Sequence, residues 1–157
     1  MSGKGAPITG GTDGSTLEVV IVAGTWHDVI TDGLIAGAER TLEAAGADWQ
    51  LVRVPGSFEL PVAAKAALEG GADAVVALGV IIRGGTPHFE YVSAAATDGL
   101  TRVALDTGKP VGFGLLTLDD EQQGLDRAGL AHSREDKGAE AADAAIRTAW
   151  VLRALRA

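Results

Sequence analysis

The sequence contains no cysteine. Disulfides, thiolate catalysis and cysteine-based zinc sites are therefore excluded, and a cytoplasmic location is compatible with the chain. Aromatic residues are scarce, 4% of the 157 positions, although 46% are hydrophobic. Ala, Val, Leu and Ile must then fill the core. Basic residues are outnumbered, 13 Lys and Arg against 21 Asp and Glu, which leaves a formal net charge of −8. Such a chain lacks the basic face that general nucleic-acid binding needs. A few local donors can still seat a phosphate in an acidic protein.

Other patterns are missing as well. No apolar run approaches the length of a membrane span. The first sixteen residues are rich in Gly, Ser and Thr and have no apolar stretch of the kind that marks a signal peptide. They are expected to form a flexible N-terminal arm (1–16) before a single domain (17–157), the length being right for one domain. His27, His88 and His132 show no metal-ligand spacing. There is no Walker A pattern, and Gly112-Phe113-Gly114 lacks the rest of a dinucleotide fingerprint. Without Gly-x-Ser-x-Gly, Ser57 makes an unconvincing hydrolase nucleophile. Neither a metal nor a cofactor is implied.

What is present alternates. Leu17 to Ala23, Gln50 to Val54, Ala74 to Ile82 and Val111 to Thr117 read as strands. Helices are expected over Asp28 to Ala45, Ser57 to Glu69, Thr86 to about Leu105, Asp120 to Ala128 and Glu135 to Leu155, with Ala74 to Ile82 at the sheet centre. Long apolar strands separated by helices predict an α/β fold, a flavodoxin-like three-layer α/β/α sandwich around a four-stranded parallel sheet.

In such sheets ligands bind beyond the carboxyl ends of the strands. The unusual residues gather there: Gly24-Thr25-Trp26-His27, Gly56-Ser57-Phe58-Glu59, and Arg83-Gly84-Gly85-Thr86-Pro87-His88. Two glycines let the backbone approach a ligand, Thr86 can cap a helix and Pro87 suits its first position. N–H groups at a helix start bind phosphate oxygens, and histidine, here His88, is a residue type suited to moving protons. Equally, Gly-Gly-Thr-Pro is a turn with a cap and His88 a polar helix residue. Ser57 and Glu59 could hold a polyol, or serve as a helix cap and a residue favoured by the helix dipole. Trp26 could cover a flat heterocycle or plug the sheet edge. Trp49 and Trp150 fit packing or subunit contacts, and Arg127 and Lys137 are by default solvated helix charges.

Taken together, Trp26-His27, the run Pro55 to Pro61, the run Ala77 to Val92, Gly112 to Thr117, Leu125 to Gly129 and Asp136-Lys137-Gly138 resemble the lumazine synthase (riboflavin synthase β-chain) family. They occur in family order from about Leu17 onward. The resemblance implies a transferase of riboflavin biosynthesis that condenses 5-amino-6-ribitylaminouracil with 3,4-dihydroxy-2-butanone 4-phosphate to 6,7-dimethyl-8-ribityllumazine, the penultimate step. It implies that Trp26 stacks on the pyrimidine, that Ser57, Phe58 and Glu59 hold the ribityl chain, and that Val80, Ile81 and Ile82 line the heterocycle pocket. Gly85 and Thr86 would cradle the phosphate and His88 would donate and accept protons. The family's pocket lies between subunits, so Phe113 and Arg127 would arrive from a neighbour, Arg127 onto the phosphate, with Lys137 a further cation. A homopentamer is implied, favoured over a shell of pentamers by the long link between Gly129 and Lys137, with a functional link to riboflavin synthase. Leu118-Asp119-Asp120 and Gly124 depart from the family pattern, and Ser93 stands where relatives often carry cysteine. Two other readings are a weakly active or inactive cage-forming or ligand-binding scaffold and, from the fold alone, a flavin-binding electron carrier. The retention of Glu59, Thr86, His88, Arg127 and Lys137 favours the enzyme.

Overall fold

Four apolar runs form the strands β1 (Glu18–Ala23), β2 (Asp48–Arg53), β3 (Ala74–Ile82) and β4 (Val111–Leu118). Between and after them lie the helices α1 (Asp28–Ala45), α2 (Leu60–Glu69), α3 (His88–Thr107), α4 (Glu121–Leu125) and α5 (Lys137–Arg156). The computed structural model describes residues 4–7 and 10–157. All strand pairs are parallel and the order is β2-β1-β3-β4. The expected parallel α/β architecture is what the chain adopts, and β3 shares the centre of the sheet with β1.

The sheet divides the core into two apolar layers. On one side Leu17, Ile21, Leu34, Leu42 and Ile146 pack beneath α1 and α5, and on the other Val22, Leu60, Leu68, Val75 and Leu100 pack beneath α2 and α3. Each such side chain contributes roughly 1.5–3 kcal/mol when withdrawn from water. With few large rings available, the layers close by approaching one another through small residues. A Cβ added at Gly112 would lie 2.2 Å from the Ala141 carbonyl oxygen, and one at Gly138 would lie 1.9 Å from that of Leu34.

Several boundaries differ from those read in the sequence. β2 begins at Asp48, because Glu18↔Asp48 pairing extends the ladder through polar residues that hydropathy passes over. The helix expected from Ser57 is a short 3-10 turn over Ser57–Glu59 before α2. The final helix starts at Lys137, since the Glu135 N–H is committed to Asp126 O at 3.0 Å. Of the segment expected as an arm, residues 10–16 lie along α5. Arg147 Nη2 donates to Gly10 O at 2.9 Å and Arg153 Nη1 to Thr16 Oγ1 at 2.8 Å, while Trp150 Nε1 donates to Asp13 O. Residues 1–3 and 8–9 lie outside the described residues.

The departures at 118–120 and 124 are connected. Leu118 is 3% exposed, and a Cβ at Gly124 would stand 2.9 Å from Leu118 Cδ1 and 2.5 Å from Ile30 Cδ1. The larger residue at 118 and the missing side chain at 124 therefore fill one space. Asp120 caps α4, its Oδ1 accepting from the Gln123 N–H at 2.9 Å.

The tightest contact offers a direct test. Gly138→Ala drives a methyl into the Leu34 carbonyl, so it should cost about 3 kcal/mol and lower the melting temperature by roughly 10 °C. A variant melting with the parent would show that α5 can leave α1 without penalty.

Candidate active site

Parallel strands deliver their carboxyl ends to one edge, and the loops leaving β1, β2 and β3 meet there. The β1 loop is pinned by its backbone. Arg53 Nη2 donates to Gly24 O at 2.9 Å, Thr25 Oγ1 to Pro55 O at 2.7 Å and Thr31 Oγ1 to Trp26 O at 2.6 Å. His27 closes the loop in the left-handed region (φ 58°) and immediately precedes α1. It is the one non-glycine residue with positive φ among those described. The Trp26 ring is thereby turned outward, 67% exposed.

Gly56 lies beneath that ring. A Cβ there would stand 3.3 Å from Trp26 Nε1 and 3.5 Å from Glu59 Oε2, so the indole and the carboxylate meet over the bare glycine. Ser57 does not serve as the cap, one of its two readings, since Gly56 occupies the cap position without a side-chain bond. Its hydroxyl instead fills the space that a Cβ at Gly79 would enter, 2.6 Å away, which brings it against β3. Ser57 is buried, whereas Phe58 is 64% exposed. Val80 is buried and Ile81 and Ile82 are half-buried, leading into the Arg83–His88 loop.

That loop is open. A Cβ added at Gly84 or Gly85 would meet no described atom within 4 Å, so the chain's own packing does not require glycine at either position. The cap expected from Thr86 is weak, its Oγ1 accepting from the His88 N–H at 3.4 Å. Pro87 precedes α3 rather than opening it, and the exposed His88 is the first helical residue.

Arg83 ties the loop to its surroundings. Its Nε donates to Asp119 Oδ1 at 2.9 Å, its Nη1 to Glu90, and its guanidinium stacks on Phe89 at 4.2 Å. Asp119, one of the departures, thus clasps β3 and α3 to the end of β4. The bonds to Asp119 and Glu90 raise the Arg83 pKa, and in return the guanidinium holds both carboxyls below their ordinary values.

Arg127 and Lys137 form a separate group. Neither is a solvated helix charge, because Arg127 follows α4 and Lys137 is only 9% exposed. An isolated antiparallel bridge, Ala128↔Asp136, places them side by side, and Glu135 lies between their charges. Burial alone would lower the Lys137 pKa, but the carboxylates of Glu140 and Glu135 outweigh it and raise the pKa. Glu135 was not among the site residues singled out from the sequence, since nothing in its spacing signals a carboxylate set between two cations. Phe113 stands apart on the edge strand β4, opposite Ala77 and 50% exposed. One chain therefore assembles Trp26, Gly56, Ser57 and Glu59, and does not bring Phe113 to them. Among the described residues, no group of three His, Asp or Glu side chains is placed to hold a metal ion.

The family model described as 6,7-dimethyl-8-ribityllumazine synthase matches residues 16–153. The chain belongs to that family. It is similar to the 6,7-dimethyl-8-ribityllumazine synthase of Leifsonia xyli, 80% identical over 157 residues and 99% of each chain. Those of Clavibacter sepedonicus and Streptomyces avermitilis are 71% identical over 99% of each chain and 56% identical over 99% of this chain and 97% of theirs. The family match runs through all three strand-end loops and the bridge carrying Arg127 and Lys137.

The Arg83 clasp makes a pH prediction. Because the folded-state pKa values of Glu90 and Asp119 are depressed, the clasp contributes above the unfolded values and is lost as pH falls through the folded ones. Carboxyl NMR titrations should give midpoints below the ordinary 4.5 for Glu90 and 3.8 for Asp119. In Arg83→Gln both midpoints should rise. Midpoints unmoved by that substitution would mean that Arg83 is not what depresses them.

Proposed function

We propose that the chain catalyses formation of 6,7-dimethyl-8-ribityllumazine, a step of riboflavin biosynthesis. The observation that carries this reading is the 80% identity over the full length to a protein of that name. The chain is a transferase acting on small molecules. The pyrimidine 5-amine attacks the ketone of 3,4-dihydroxy-2-butanone 4-phosphate to give an imine and water. Phosphate is eliminated, and the ribitylamino nitrogen closes the second ring with loss of a second water. No electron is exchanged with a third compound, so the chemistry asks for two substrates held close and for proton transfers.

The assignment of residues follows the family resemblance, and the strand-end geometry supports part of it. Trp26 covers the pyrimidine, and Glu59 beneath it accepts from the ribityl hydroxyls, with Ser57 and Phe58 completing that side. Val80, Ile81 and Ile82 line the heterocycle pocket. The open Gly84-Gly85 turn and Thr86 seat the phosphate, a reading supported by the room left around both glycines. His88, exposed at the start of α3, exchanges protons with the reacting groups. Phe113, Arg127 and Lys137 come from a neighbouring copy, Arg127 binding the phosphate.

A homopentamer supports that sharing. Every residue of the edge strand β2 is exposed, including Trp49, Leu51 and Val52, as are Trp26, Val62, Tyr91 and Phe113. This much apolar surface is unusual for a chain that works alone. A cytoplasmic location and a functional link to riboflavin synthase belong to the same reading. Among the described residues no helix is long and apolar enough to cross a membrane.

Purified protein mixed with both substrates should produce fluorescent lumazine faster than the uncatalysed background; no acceleration would leave a scaffold rather than an enzyme. Arg127→Ala should raise the KM for the sugar phosphate by about tenfold or more, since a charge-assisted phosphate contact is lost. A change confined to the pyrimidine KM would reassign Arg127. Light scattering after size exclusion should give five times the chain mass.

A further inference from the structure

The bridge between Ala128 and Asp136 sorts the loop's side chains by the alternation of extended backbone. Ala128 and Asp136 turn to α1, into space that Gly33 and Gly37 leave vacant. Arg127, Glu135 and Lys137 share the opposite face, fixed by the Lys137 N–H on Arg127 O at 2.9 Å and the Gly129 N–H on Glu135 O at 3.0 Å. Other partners locate the two cations. Arg127 Nη1 donates to Gln123 O at 2.8 Å, and Lys137 Nζ donates to Glu140 Oε2 at 2.7 Å.

Glu135 sits between them yet orients neither. Its Oε2 is sealed from solvent, 3.3 Å from Lys137 Nζ and 3.8 Å from Arg127 Nε, although the side chain as a whole is 17% exposed. Both cations already have closer partners, so neither depends on Glu135 for its position. What it supplies is a negative charge beside two positive ones. Glu140 also faces Lys137, but its side chain is 48% exposed and its charge is screened by water and salt. The Glu135 side chain is 17% exposed, with Oε2 sealed from solvent, so its charge is screened less.

Resting on the reading of Arg127 as a ligand of the substrate phosphate, with Lys137 a further cation beside it, we infer that Glu135 sets how tightly that site holds phosphate. Its carboxylate lowers the positive potential at the seat without occupying the guanidinium donors, so inorganic phosphate, a product of the reaction, can leave. Glu135 touches no reacting atom and acts through the two cations.

Inorganic phosphate is the probe, used as an inhibitor competing with the sugar phosphate on the assembled protein. Glu135→Gln keeps the shape and removes the charge. Its Ki for phosphate should fall about tenfold, since a like charge near the anion is gone. The KM for the sugar phosphate should fall with it, and that for the pyrimidine should not move. Glu135→Asp retains the charge and should keep Ki within about twofold of the parent. An unchanged or raised Ki in Glu135→Gln overturns the inference, as does an equal fall in Glu135→Asp, which would mark a packing effect. A merely structural role would lower the melting temperature and raise both KM values. Arg127→Ala separates this inference from the reading beneath it. If phosphate competes undiminished in that variant, the phosphate seat is misassigned and both fail. If competition is lost there but Glu135→Gln does not tighten it, the role of Glu135 alone fails.

Discussion

The carboxylate of Asp136 is the point on which the rest of the structure depends. Its Oδ1 accepts from the Ala139 N–H at 2.9 Å and so starts α5, while its Oδ2 takes Arg40 from α1 at 2.9 Å. It occupies space that exists only because Gly37 and Gly129 lack side chains: a Cβ at Gly37 would lie 2.2 Å from Oδ1, and one at Gly129 2.5 Å from its Cγ. Three segments distant in sequence are thereby locked at one carboxyl group. The same bridge that turns Asp136 towards α1 sets Arg127, Glu135 and Lys137 on its opposite face, so the order of the core and the order of the charged group have one origin.

Scarcity of aromatic residues is resolved by closeness. Alanine on α5 and glycine on β4 let helix and sheet approach until backbone atoms bound the available space. Such packing lacks large rings to bury but has little slack, which is why a methyl at Gly138 has nowhere to go. The large aromatic side chains that the chain does possess are mostly left on its surface, Trp26, Phe58, Tyr91 and Phe113 among them.

Much of this was legible in the sequence because apolar runs and glycine stops are local signals. The four strands, the parallel sheet and the gathering of Trp26, Gly56, Ser57 and Glu59 at the strand ends follow from periodicity and one topological rule. The start of β2 at Asp48 was not legible, since a polar residue on an edge strand pairs through its backbone alone. Nor was the burial of Lys137, which depends on a bridge between residues 128 and 136 that no hydropathy pattern announces. Of the two readings open for Ser57 the cap fails, because its hydroxyl packs against Gly79, a position distant in sequence on β3. The departures at Leu118, Asp119 and Gly124 looked independent in the sequence. In three dimensions Leu118 and Gly124 divide one volume, and Asp119 answers Arg83.

His27 carries a cost that bears on the whole molecule. A histidine in the left-handed region gives up about 1 kcal/mol against glycine, and here it does so between the pinned Trp26 and the first turn of α1. Glycine would relax the backbone and, by the same freedom, let the indole wander from its place above Gly56. Thermal robustness and a fixed ring are thus in competition at a single residue. Relieving the strained position would raise stability at the expense of order in the loop that carries the indole.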